Sequence, residues 1–145
     1  AMTTKEYLNQ IERLDKMITN KLSEIYQLKI MACSITVSGD SERVQTSGNQ
    51  DKLGSTIAKI VDLERETDEL VDSLVDKRKE ILSQIDNMKN IDHYDVLHKH
   101  YVERRTFQDI ADSENWSIRQ VFNIHGRALQ EFEKMYGDTY LHKNS

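Results

Sequence analysis

The side chains whose chemistry is easiest to name lie near the C-terminus, in Ser117-Ile118-Arg119-Gln120-Val121-Phe122-Asn123-Ile124-His125-Gly126-Arg127-Ala128-Leu129. Val121, Ile124, Ala128 and Phe132 recur at steps of three and four, the inward stripe of a helix. With that stripe inward, Arg119, Asn123, Gly126 and Gln130 point outward. Arginine pairs bidentately with guanine, and asparagine or glutamine with adenine, through base edges open in the major groove. Gly126 lets another backbone approach closely. Gln120 and Arg127 flank this face, and Arg127 suits a phosphate. Phe122 stands beside Ile118 and Leu129 at the edge of the apolar arc, where it packs on another helix or meets a thymine methyl group.

Other reactive types are sparse. The single cysteine, Cys33, has no partner for an internal disulfide, and its surroundings match no nucleophile motif. It is expected to be a buried structural thiol in a reducing, cytoplasmic setting. His98 and His100 are two apart, so on a helix they face different ways and cannot share a metal. The carboxylates Asp62, Glu64, Glu66, Asp68, Glu69, Asp72 and Asp76 come with no nearby histidine, and read as a solvated face. No phosphate-cradling glycine loop and no nucleophile–base pair is evident, so neither an enzyme nor a cofactor nor a metal is expected.

The elements that position these residues are read as helices. There is no proline among 145 residues, glycine is scarce, and the charged residues are mostly helix formers. Tyr7, Leu8, Ile11, Leu14, Ile18, Leu22, Ile25 and Leu28 lay out one apolar face. Ser34 to Ser55, with Gly39-Asp40 and Ser47-Gly48-Asn49, reads as an exposed loop centred on about 36–53, with Val37 and Val44 as its anchors. A second helix then starts near Leu53 or Ser55, with a seam of Ile57, Ile60, Val71, Leu74, Ile81, Ile85 and Met88, widened by Leu63, Leu70 and Leu82 and interrupted by Glu64, Thr67 and Arg78. The expected division is an antiparallel helical hairpin over 3–90, serving oligomerisation, and a DNA-binding part over 91–140. Two helices form a thin core, so a homodimer is expected. Ala1 ahead of Met2 reads as a cloning remnant. No leader or membrane span is expected, because charges interrupt every apolar run.

In the tail, Asp92 is the expected cap of a helix running to Val102. Thr106 with Asp109 resembles a capping box, and Phe107, Ile110 and Ala111 form the next apolar side. A short turn through Asn115 leads to Ser117, the cap of the last helix. This is the layout of a helix-turn-helix, with two departures: Asn115 where glycine is usual, and Glu114 where an apolar residue is usual.

Tyr101-Val102-Glu103-Arg104-Arg105-Thr106-Phe107-Gln108-Asp109-Ile110-Ala111, followed by Ser117 to Leu129, resembles region four of bacterial sigma factors. More narrowly, it is similar to the sigma-like phage and prophage proteins related to the RinA- and ArpU-type late-transcription regulators, and to uncharacterised phage proteins carrying this tail. Ile124-His125-Gly126-Arg127-Ala128-Leu129 is typical of that group, and the motif covers about a third of the chain. The resemblance implies an all-α protein that binds double-stranded DNA and acts in transcription with RNA polymerase. By position it places Arg119, Gln120, Phe122 and Asn123 against DNA. Arg104 and Arg105 are expected to join Arg127 on phosphates. The net charge of −5 means that any such affinity is local. Two alternatives remain: a DNA-packaging subunit like a small terminase, and a helical adaptor that binds protein.

Overall fold

The structure is a computed structural model that describes residues 2–41 and 47–141. It is all-α, and no strand occurs among the described residues. The elements are α1 (Thr4–Leu8), α2 (Gln10–Ser41), α3 (Ser47–Asp86), α4 (Ile91–Leu97), α5 (Phe107–Glu114) and α6 (Ile118–Tyr136). A π-helical turn over His98–Val102 follows α4, and a 3-10 turn over Gly137–Thr139 follows α6. No helix is long and apolar enough to cross a membrane, among the described residues.

Several elements differ from the sequence reading. The expected loop over about 36–53 is largely helical: α2 continues to Ser41 and α3 begins at Ser47, ahead of Leu53. Within that stretch Thr36 Oγ1 bonds back along the helix, donating to the Ala32 carbonyl at 2.9 Å. With no proline nearby, nothing stops the ladder. Val44 and the side chain of Val37 lie outside the described residues. Cys33 is exposed rather than buried, because it falls off the single stripe that α2 packs. The cap of α4 is Asn90, whose side chain accepts from the backbone N–H groups of Asp92 and His93; Asp92 sits inside the first turn.

The chain forms two compact units. One comprises Leu14–Ser73; the other comprises Ala1–Arg13 with Leu74–Ser145. In the first, α2 and α3 run antiparallel, as Lys21 meets Glu66 at 3.4 Å and Lys29 meets Glu64 at 3.8 Å. Its buried residues are Ile18 and Ile25 against Thr56, Ile60 and Thr67. Thr56, Ile60, Leu63, Thr67 and Leu70 alternate by four and three, so this is the true seam of α3. Ile57 and Val71, expected in it, are exposed. Each threonine satisfies its hydroxyl on its own helix, Thr56 on Lys52 O and Thr67 on Leu63 O, and turns its methyl group inward.

The second unit holds two cores. In the larger, Tyr7, Leu8 and Ile11 pack with Ile81, Ile85, Met88, Leu97, Tyr101, Phe132 and Tyr140. Tyr7 stacks on Tyr140 at 4.3 Å, and its hydroxyl donates to Gln84 at 2.7 Å and Glu80 at 3.2 Å. Burial pushes the Tyr7 phenol up to about 12. The smaller core joins Val96 of α4 to Ile110 and Ala111 of α5 and Val121 and Ile124 of α6, with Phe107 and Trp116 at its edge.

Candidate nucleic-acid interface

The smaller core fixes where α6 points. Thr106 caps α5 by accepting from Asp109 N at 3.1 Å, and Ser117 caps α6 by accepting from Gln120 N at 3.1 Å, as the sequence indicated. Between them Asn115 takes the left-handed conformation, φ 59°, and its N–H closes α5 on the Ala111 and Asp112 carbonyls. Asparagine tolerates this region better than most residues, which is why glycine is dispensable there. Ala111, which is buried, lets α6 cross closely over α5.

Glu114 has a reason to be polar. It pairs with Lys99, which also bonds Asp95 at 2.9 Å, so the ammonium ties α4 to the end of α5. Burial pulls Lys99 down, but its bonds to Glu114 and Asp95 outweigh burial and hold it up. The Asp95–Lys99 spacing was visible in the sequence as an i,i+4 pair; its link to Glu114 was not.

The histidines among the described residues also have structural partners. His93 Nδ1 bonds Glu131 Oε1 at 2.7 Å, and His98 Nδ1 bonds Glu103 at 2.8 Å. His100 donates through Nδ1 to the Arg105 carbonyl and stacks on Phe107 at 4.1 Å. It thereby holds a sharp turn in which Arg104 adopts φ 60°, a left-handed conformation disfavoured for a side chain of this size. His125 is buried, and its Nε2 shares a hydrogen bond with the Tyr101 hydroxyl at 2.7 Å. Burial, with smaller contributions from His100 and Lys5, lowers His125 to about 4, so the ring is neutral at neutral pH. No metal-holding cluster occurs among the described residues.

On the opposite side of α6, Arg119, Gln120, Phe122, Asn123, Gly126, Arg127 and Gln130 are all exposed, while Val121, Ile124, Ala128 and Phe132 are buried. The helical wheel thus separated the two faces correctly. Phe122 sets its edge on Phe107 at 5.2 Å and remains 51% exposed. Among the described residues neither Arg119 nor Arg127 enters an ion pair, so both present full charge. Arg104 and Arg105 are exposed but engaged: Arg104 lies 3.7 Å from Glu12, and Arg105 lies 3.1 Å from Glu103. The N-terminus of α6 adds the positive end of a helix dipole beside Arg119. The result is an exposed helix face with two guanidiniums outside any ion pair among the described residues, two side-chain amides near its N-terminus and an uncovered glycine.

No curated protein and no solved structure matches the chain. The family match covers residues 33–133, more than half of the sequence. The chain therefore belongs to DUF1492, a family described as a protein of unknown function.

Proposed function

We propose that the chain is a sequence-specific DNA-binding transcriptional regulator in which α5 and α6 form a helix-turn-helix and α6 enters the major groove. The observation carrying this reading is the sorting of α6. Its buried side is wholly committed to the two cores. Its exposed side carries arginine, glutamine and asparagine within the first two turns, where recognition helices of this class meet base edges. Arg119, Gln120 and Asn123 take the base contacts, Arg127 takes a phosphate, and Phe122 meets a thymine methyl group. The resemblance to region four of sigma factors adds a phage or prophage origin and RNA polymerase as a second partner.

The protein-adaptor reading has one observation in its favour. Ile118 and Phe122, one turn apart, both leave apolar surface on the same face. Selection of sheared genomic DNA on the purified chain separates the two. A regulator enriches a small number of loci sharing one short sequence. Recovery of fragments without a common sequence contradicts the proposal.

A further inference from the structure

The unit Leu14–Ser73 leaves a second apolar stripe beside the seam it already packs. On α2 the stripe is Leu22, Tyr26 and Ile30; on α3 it is Ile57, Val61 and Val71. Tyr26 is 63% exposed and Val61 is 55% exposed. Residues four and seven apart share a helix face, so Leu22, Tyr26 and Lys29 lie together, as do Ile57, Val61, Glu64 and Val71. The Lys29–Glu64 ion pair, bridging the helices at 3.8 Å, puts these stripes on the same side of the pair. The other side is different: there Met17, Lys21, Glu66, Glu69, Leu70 and Ser73 line a shallow groove in which Lys21, Glu66 and Glu69 carry charge.

We infer that this stripe is the docking face for a second copy of the same chain, two helical pairs closing face to face into four helices around a twofold axis. Three observations select this occupant. The six apolar side chains are each between 39% and 63% exposed, a continuous run of uncovered apolar surface of the kind that marks an interaction site rather than single scattered residues. Lys29 and Glu64 beside the stripe pair with each other at 3.8 Å, so neither brings an uncompensated charge into an isologous contact. Finally, the unit is a single layer of two helices whose buried side chains are three isoleucines and two threonines among the described residues, and a layer needs a second to form a core.

The inference stands independently of the DNA reading. Its test is sedimentation of the full chain at tens of micromolar, with Tyr26→Glu and Val61→Glu as disruptive variants. Met17→Glu, on the opposite side, serves as the control. The expected result is a mass of two copies for the wild type and Met17→Glu, and of one copy for the other two, with helicity retained by circular dichroism. If the disruptive variants lose their helicity instead, the wild-type thermal midpoint decides. It should rise by several degrees over a hundredfold increase in concentration, because a folded dimer gains by mass action. A monomeric wild type, a midpoint independent of concentration, or dimers that survive both substitutions would overturn it.

Discussion

A β-carbon placed on Gly126 would meet no protein atom within 4 Å. Within the folded chain this glycine therefore has no packing purpose, and in a helix interior it costs about 1 kcal/mol relative to alanine. A residue that weakens its own helix without packing there fits a surface on which something else comes close. Gly126→Ala should raise the thermal midpoint by roughly 3 °C while lowering affinity for the selected DNA site several-fold. An alanine variant that binds as well as the wild type places Gly126 outside the interface. His125 makes a different prediction. Its ordinary value is 6.5 and its folded value is about 4, so between those limits the unfolded chain binds more protons. Its contribution is complete above about pH 6.5 and is lost as the pH falls toward 4, at up to about 1.4 kcal/mol per pH unit. Urea unfolding at pH 7 and pH 5 should show this loss, and His125→Gln, whose amide can still bond the Tyr101 hydroxyl, should remove most of the difference.

Among the elements, the turn from α5 to α6 rests on three short-range signals that the sequence displays openly: Thr106, Asn115 and Ser117. Ser117→Ala should cost about 1 kcal/mol by leaving the first turn of α6 uncapped. Asn115→Val should cost about 1–2 kcal/mol, because a β-branched residue resists φ 59°, whereas Asn115→Gly should be nearly neutral. Denaturant midpoints of the three variants check the order. Such local chemistry made the tail legible, and the same holds for the inward face of α6, where Val121, Ile124, Ala128 and Phe132 are large or small in the right places. The long helices were less legible because their seam uses residues that look polar. Thr56 and Thr67 bond their hydroxyls to their own carbonyls and offer a methyl group, while Ile57 and Val71 look like core and lie outside it. The extent of α2 and α3 is hidden in the sequence for a related reason: serine, threonine and glycine mark turns only where the helix has another reason to stop. Pairings between distant positions, such as Lys99 with Glu114 or His93 with Glu131, leave no periodic trace in a single sequence.

For the molecule as a whole, the net charge of −5, to which the exposed acids of α3 from Asp62 to Asp76 contribute, opposes DNA. Favourable charge is concentrated on Arg119 and Arg127, since Arg104 and Arg105 are held by Glu12 and Glu103. With about −0.9 per neutralised phosphate, log K against log salt should have a slope near −2 per chain. Changing both Arg104 and Arg105 to alanine should move it by less than about one unit, and a slope much steeper than −2 per chain would mean that this pair leaves its carboxylates to meet phosphates. The claim on which the account depends is that α6 reads bases. Fluorescence anisotropy on the selected site, against a scrambled duplex, measures this for the wild type, Arg119→Ala and Asn123→Ala. Each variant should lose about 1–3 kcal/mol of discrimination, with helicity and thermal midpoint unchanged, because both side chains are exposed. Undiminished discrimination in both variants would contradict the account.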